Sequence, residues 1–185
     1  MPLIAVVFYF SKSPRYLPKE LIYSKLISLG ILSIILPILI YYLLNTLGKA
    51  RTIYLKSSKE RILPLAVNCC ILIVIIFRVF PISQLMVLHF FFIAVLMSTL
   101  SCLILVLLSF KASIHMIAVT GVFAFFILLS INYSININGT LALMCVLIGA
   151  IATSRLYLKA HTILELSVGC VLGILPQIIM VNYWF

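Results

Sequence analysis

Acidic residues are scarce in this sequence. Its 185 residues include three Asp or Glu against 13 Lys or Arg, so the formal net charge is +10. Charged residues of both signs make up only 9% of the chain, whereas hydrophobic residues make up 65%. Soluble domains carry about 25% charged residues. The scarcity of charge therefore excludes an ordinary soluble domain and indicates an integral membrane protein.

Several motifs that define other protein classes are also missing. The sequence has no acidic cluster for a divalent metal and no glycine-rich phosphate loop. Its five cysteines lie within apolar segments without the paired spacing of a zinc site, so they are interpreted as small core residues. The basic residues are scattered and form no basic face for nucleic acid. The sequence therefore predicts no metal, no cofactor and no nucleic-acid partner, and it leaves the lipid bilayer as the partner.

Long apolar segments predict about six transmembrane helices. A helix needs about 20 apolar residues to span a membrane, and unbroken runs of this length favour helices over the alternating strands of a barrel. The predicted spans are residues 26–47, 62–77, 85–110, 116–131, 140–153 and 162–184. The expected fold class is an all-α, polytopic membrane bundle.

The chain has room for one domain and contains no Gly/Ser-rich or Pro-rich linker. We therefore expect residues 1–185 to form a single integral membrane domain. Residues 1–10 are apolar but too short to span, and they do not resemble a signal peptide because the basic residues follow them. Basic residues between Ser11 and Lys25 indicate that residues 1–25 lie along the membrane surface, or form a flank that only sets orientation.

Three polar groups fall in loops that this topology places on one face of the membrane. In a bundle of six spans, the loops after the first, third and fifth spans emerge on the same side, here called the site face. These loops contain residues 56–64, 111–115 and 154–165. They hold two of the three histidines and two of the three acidic residues. This concentration of scarce residues predicts a functional site.

The proposed reactive group in these loops is a histidine. His161 and Glu165 are four residues apart, so they share one face of a helix. The carboxylate is expected to accept a hydrogen bond from one ring nitrogen, which leaves the other nitrogen free to attack phosphorus. A charged residue within a span costs about 2.5 to 3.5 kcal/mol on insertion scales, which argues that Glu165 has this partner. His115 could then protonate the leaving oxygen as a general acid.

The other polar side chains in these loops are suited to phosphate. Arg155 offers a planar fork to two phosphate oxygens, and the transition state of phosphoryl transfer spreads its charge over three of them. Further donors would surround the same phosphate, so that no metal ion is needed to bind it. They are the cations Lys56, Arg61 and Lys111 and the hydroxyls of Ser113 and Ser154.

The third loop resembles a signature of a known family. Ser154-Arg155, five residues, His161, three residues and an acid is similar to the third signature of the type 2 phosphatidic acid phosphatases. These are membrane lipid phosphate phosphatases related to the vanadium haloperoxidases. In that family the acid is aspartate, whereas this sequence has Glu165, whose side chain is longer by one methylene.

The other two loops resemble the remaining signatures less completely. Residues 111–115 are similar to the second signature, Pro-Ser-Gly-His, with Ala112 and Ile114 in place of proline and glycine. Ile114 is expected to restrict the turn before the histidine. Residues 56–64 are similar to the first signature, Lys, six residues, Arg-Pro, except that Leu63 replaces the arginine.

The resemblance implies a role for each of these residues. His161 would form a phosphohistidine, Glu165 would orient it, and His115 would be the general acid. The implied phosphate ligands are Arg155, Ser113, Ser154, Lys56 and, as a displaced substitute for the missing arginine, Arg61. The six-helix architecture agrees with the family's usual one.

The expected function is metal-independent hydrolysis of a phosphomonoester or pyrophosphate of a membrane lipid. Four kinds of lipid belong to this substrate class: phosphatidic acid, phosphatidylglycerophosphate, polyprenyl pyrophosphate and lipid A phosphate. Lys and Arg are nearly balanced between the two faces once the phosphate ligands are set aside. The resemblance then implies a bacterial inner (plasma) membrane protein with its site on the outer face. Two alternatives stay open: a catalytically inactive relative that binds lipid phosphate or acts as a scaffold, and a small anion transporter.

Overall fold

The structure, a computed structural model, describes residues 1–14, 16–46 and 58–184. This part of the chain contains helices and no strand. The α-helices are α1 Pro2–Lys12, α2 Lys19–Gly30, α3 Leu36–Thr46, α4 Ser58–Val74, α5 Met86–Leu107, α6 Ile114–Tyr133, α7 Asn138–Tyr157 and α8 Ile163–Val181.

Six stretches of helix in the described ranges are long and apolar enough to cross a membrane. A π-helical turn, Ile31–Ile35, joins α2 to α3, so that one span covers Lys19–Leu43. A second π-helical turn, Ile75–Val79, extends α4, and the span there is Arg61–Val79. Each of α5 to α8 forms a span of its own. The predicted all-α bundle of six transmembrane helices is confirmed, although the first span begins at Lys19 rather than at residue 26.

The N-terminal residues differ from the expectation that residues 1–25 lie on the membrane surface. Helix α1 packs into the bundle, where Tyr9 is 1% exposed and the rings of Phe8 and Phe126 lie 4.1 Å apart between centroids. This helix is too short to cross a bilayer, but its apolar face gains more by covering α6 than by lying at a polar surface. From Lys19 onward, the expected surface segment belongs to the first span.

The helix pair α6 and α8 carries the two loops that hold the histidines of the candidate site. Two glycines on α8 allow their backbones to approach closely. A Cβ atom on Gly169 would lie 2.9 Å from the carbonyl oxygen of Ser113, and one on Gly173 would lie 2.6 Å from that of Ile117. Small residues spaced by four are the usual means of close packing between membrane helices. The contact therefore fixes α8 against the start of α6.

The remaining histidine, His89, lies on α5 away from these loops. It is buried, and its Nδ1 lies 2.8 Å from the carbonyl oxygen of Phe80. A buried ring with a satisfied nitrogen has a packing role.

Candidate active site

The two described loops of the site face meet in the structure. The backbone N–H of Ser113 donates to the carbonyl oxygen of Glu165 at 3.3 Å. Ser113 immediately precedes α6, and Glu165 lies in the first turn of α8. Because both helices begin at this bond, His115 and His161 lie at the same end of the bundle. The structure thus brings together the polar groups of residues 111–115 and 154–165.

The loop between α7 and α8 sets the separation of Arg155 and His161. Lys159 has a left-handed backbone with a φ of 49°, and the N–H of Ala160 donates to the carbonyl oxygen of Arg155 at 3.1 Å. This is a Schellman motif, a common way to end a helix. Helix α8 begins two residues after His161. Arg155 and His161 are therefore held at the two ends of one short, hydrogen-bonded turn.

The loop between α5 and α6 uses the same turn. Ser109 has a φ of 64°, and the N–H of Phe110 donates to the carbonyl oxygen of Leu105 at 2.8 Å. The expected restriction at Ile114 does not arise, because Ile114 is the first residue of α6 and the chain reverses earlier, at Ser109. His115 follows in the first turn of α6 with an exposed side chain. The chain therefore reverses in this loop without the glycine that the second signature has before its histidine.

His161 and Glu165 form the closest pair of polar side chains in the site. The Nδ1–H group of His161 donates to Oε2 of Glu165 at 2.9 Å. The imidazole is 5% exposed and the side chain of Glu165 is 19% exposed. Since Nδ1 carries the hydrogen, Nε2 carries the lone pair. The predicted pair is present, and it leaves one ring nitrogen available as a nucleophile.

Glu165 also caps helix α8. Its Oε2 accepts a hydrogen bond from the N–H of Thr162 at 3.1 Å, and Oγ1 of Thr162 accepts one from the N–H of Glu165 at 3.3 Å. This reciprocal pair is a capping box, which favours glutamate at the third helical position. The extra methylene of glutamate is therefore accommodated by the cap, and the same oxygen orients His161.

Thr162→Ala is expected to lower the free energy of unfolding by about 1 kcal/mol, since α8 loses one of the two reciprocal bonds of its cap. For a chain of this size the melting temperature should fall by roughly 2–4 °C. Thermal unfolding in detergent measures the change. Thr162→Ser keeps the hydroxyl and serves as the control. An unchanged melting temperature in the alanine variant would mean that the capping box does not hold α8.

Two arginines interact electrostatically with residues of the site. The charges of Arg155, Arg61 and His161 all act on His115, and the charge of Glu165 acts on Arg61. Arg61 belongs to α4 and Arg155 to the last turn of α7, so four helices (α4, α6, α7 and α8) and the α7–α8 loop contribute to one site. The combined positive charge suits an anionic ligand.

Arg61, rather than the residue at the arginine position of the resembling signature, faces this site. Leu63 holds that position and is 43% exposed. Side chains two residues apart on a helix point in nearly opposite directions, about 200° apart. The charge of Arg61 acts on His115, and the charge of Glu165 acts on Arg61. Arg61 therefore lies on the face of α4 that is turned towards the site, although it is two residues earlier than the arginine of the resembling signature.

Two buried polar atoms of the site have no hydrogen-bond partner among the described residues. They are Oγ of Ser113, a residue with 0% exposure, and Nε of Arg155. Leaving a buried polar atom unpaired costs roughly 1–3 kcal/mol. Both groups can donate, and Ser113 also stands at the N-terminus of α6, whose free N–H groups attract anions. Together they suit a ligand with several acceptor oxygens.

The structure describes two of the three remaining predicted ligands. Ser154 lies on the last turn of α7 with an exposed side chain. Lys111 is half-buried on the loop before α6 and is not among the charges that act on His115. Lys56 lies outside the described residues.

Three residues that position the site were missed by the sequence reasoning: Thr162, Gly169 and Gly173. Each had a signal. Thr162 and Glu165 have the spacing of a capping box, and the two glycines have the spacing of a close helix contact. What the spacing did not show is which helix the glycines would contact.

Comparison of the chain with models of protein families, with characterised proteins and with solved structures found no match. Function has therefore to be inferred from the geometry of the site itself.

Proposed function

We propose that this protein is a membrane lipid phosphatase of the type 2 phosphatidic acid phosphatase kind. The observation that carries the proposal is the buried pair of His161 and Glu165, whose ring nitrogen Nε2 is left with a lone pair. Beside this pair are the unpartnered donors of Arg155 and Ser113. A nucleophile, an orienting carboxylate and donors for an anion are the groups that phosphoryl transfer requires.

The first step transfers the phosphoryl group to His161. Nε2 attacks phosphorus, and the bond from phosphorus to the lipid oxygen breaks as the bond to nitrogen forms. Glu165 stabilises the positive charge that develops on the imidazole. His115, in its protonated form, gives its proton to the leaving oxygen, and the lipid departs.

The second step releases inorganic phosphate. A water molecule attacks phosphorus while His115, now neutral, takes its proton. The bond between phosphorus and His161 breaks, and both histidines return to their starting states. In both steps Arg155, Arg61 and Ser113 would stabilise the charge on the non-bridging oxygens.

A lipid substrate is proposed because the site lies at the ends of helices long enough to cross a membrane. A headgroup at the interface could reach the exposed His115 while its chains extend towards the middle of the membrane. Phosphatidic acid, phosphatidylglycerophosphate, polyprenyl pyrophosphate and lipid A phosphate have this form. The family resemblance supports a bacterial inner membrane with the site on the outer face.

Phosphate release from these lipids by detergent-purified protein tests the proposal. We expect release that persists in the presence of a metal chelator and falls by roughly 10²–10⁴-fold in His115→Ala. Arg78→Ala changes an exposed basic residue between α4 and α5, on the opposite face, and should leave the rate unchanged.

No release from any lipid by the folded protein would overturn the proposal. Lipid binding without release would then indicate an inactive relative. Passage of phosphate across reconstituted vesicles without hydrolysis would indicate a transporter.

Arg155→Lys is expected to lower kcat/KM by about 10–100-fold although the charge is kept. Lysine cannot form the two parallel hydrogen bonds of a guanidinium, and a hydrogen bond to a charged group contributes roughly 1.5–3 kcal/mol. Steady-state kinetics on the best lipid measures the effect, with Arg78→Lys as the matched control. An unchanged kcat/KM would mean that Arg155 acts only as a charge.

A further inference from the structure

A cavity of about 190 Å³ lies inside the bundle and begins at the site end of α6. Its lining is mostly apolar and comes from the start of α1, the first span, α4 with α5, and α6 with α8. It extends from Ile114, next to His115, to Gln177 on α8. An apolar cavity of roughly 150 Å³ in another protein admits benzene. This cavity therefore has room for a segment of hydrocarbon chain.

One buried side-chain oxygen in the cavity wall has no hydrogen-bond partner among the described residues. Gln177 is 1% exposed, and its Oε1 accepts no hydrogen bond from any described residue. A purely apolar ligand would leave this oxygen unpaired, whereas a ligand with a hydrogen-bond donor would satisfy it.

Two hydroxyl groups in the wall also present acceptors. Ser98 and Thr99 each donate their hydroxyl hydrogen to a carbonyl oxygen one turn earlier on α5, at 3.0 and 2.8 Å. A hydroxyl group has a single hydrogen, so only lone pairs remain to face the cavity. Asn68 of α4 adds an amide that can donate or accept. Ser33 and Met1 also line the cavity and can donate as well. The buried Oε1 of Gln177 is therefore the group that favours a donor on the ligand.

We propose that the cavity binds the hydrocarbon chain of the lipid phosphate and that Gln177 accepts a hydrogen bond from a hydroxyl group on that chain. This inference rests on the proposed function and narrows its substrate to lipid phosphates with a hydroxylated chain. A polyprenyl chain, which has no donor, is disfavoured. Gln177 lies a little over three turns beyond Glu165 on α8, about 18 Å further into the bilayer. The hydroxyl group is accordingly placed well down the chain.

Hexadecyl phosphate and its mid-chain hydroxylated analogue test the inference as a pair. The wild-type protein should prefer the hydroxylated compound by about three- to tenfold in kcat/KM, the effect of one net hydrogen bond. Gln177→Met, which keeps the side-chain volume but loses the amide, should remove the preference. Gln84→Met changes an exposed glutamine between α4 and α5 and should keep it. Thermal stabilisation by the non-hydrolysable phosphonate analogues measures binding separately from turnover.

A second variant tests whether the chain enters the cavity. Ala118→Leu places a larger side chain in the cavity wall and should lower kcat/KM for both long-chain phosphates at least about tenfold, while sparing a short, water-soluble phosphomonoester. Ala142→Leu, at an exposed position on α7, should affect neither class.

The outcomes separate this inference from the phosphatase proposal. Turnover with no preference for the hydroxylated chain, or with the same preference in Gln177→Met, would overturn the inference and mean that water alone satisfies Gln177. Equal effects of Ala118→Leu on long and short substrates would also overturn it. Preference in binding with no turnover of any lipid would overturn the phosphatase proposal and leave the cavity as a lipid site.

Discussion

His161→Ala should lower phosphate release by roughly 10⁴-fold or more, because it removes the proposed nucleophile. In the structure Nδ1 of this ring is held by Glu165 at 2.9 Å, which leaves Nε2 for phosphorus. The rate on the best lipid measures the loss. Wild-type protein quenched during turnover with a phosphate-labelled lipid should carry label that is stable to base and lost in acid, as expected for a phosphohistidine.

His115→Ala provides the comparison that separates the two histidine roles. An activated aryl phosphate has a leaving group that needs no proton, so His115→Ala should still be phosphorylated by it, whereas His161→Ala should not. If both variants form the phosphoenzyme, His161 is not the nucleophile. If both lose it equally, the proposed division between nucleophile and general acid is wrong.

Gly173→Ala is the substitution with the largest expected effect on stability. The new Cβ atom would lie 2.6 Å from the carbonyl oxygen of Ile117 and would collide with Oγ1 of Thr120. The carbonyl belongs to the backbone of α6, so it cannot move aside unless the two helices separate. Overpacking of this kind costs about 1–3 kcal/mol or more, and the melting temperature should fall by roughly 2–10 °C. Activity should fall as well, since α6 and α8 position the two histidines.

Gly149→Ala on α7 is the matched control for this substitution. Both glycines are helical, but a Cβ atom on Gly149 would meet nothing within 4 Å. Alanine is favoured over glycine in a helix by about 1 kcal/mol, so this variant should be as stable as the parent or slightly more stable. Equal melting temperatures for the two alanine variants in detergent would show that α6 and α8 do not approach closely at Gly173.

The six spans could be predicted because the thickness of the bilayer sets a minimum length of apolar chain, and that length is visible in the sequence. The location of residues 1–25 could not be predicted in the same way. An apolar stretch of this length can lie at an interface or pack inside a bundle, and the choice depends on whether a partner face is available. Phe126 on α6 offers that face to Phe8.

For the same physical reason, only part of the candidate site could be predicted from the sequence. His161 and Glu165 could be paired from the sequence, since their spacing alone places them on one face of a helix. The role of Arg61 depended on how α4 is rotated in the bundle, which no spacing within α4 reveals. Ile114 was expected to restrict a turn, but the turn lies at Ser109, where a left-handed residue ends α5.

The membrane class, the six helices, the common face of the polar loops and the pairing of His161 with Glu165 could all be predicted without a structure. Each follows from composition or from spacing along one segment. The packing of the helices was needed to show that α1 is buried, that Arg61 turns towards the site while Leu63 does not, and that Gln177 lines a cavity. These depend on which helix faces meet, and that is set by close contacts between distant residues, such as the approach of α8 to α6 at Gly173.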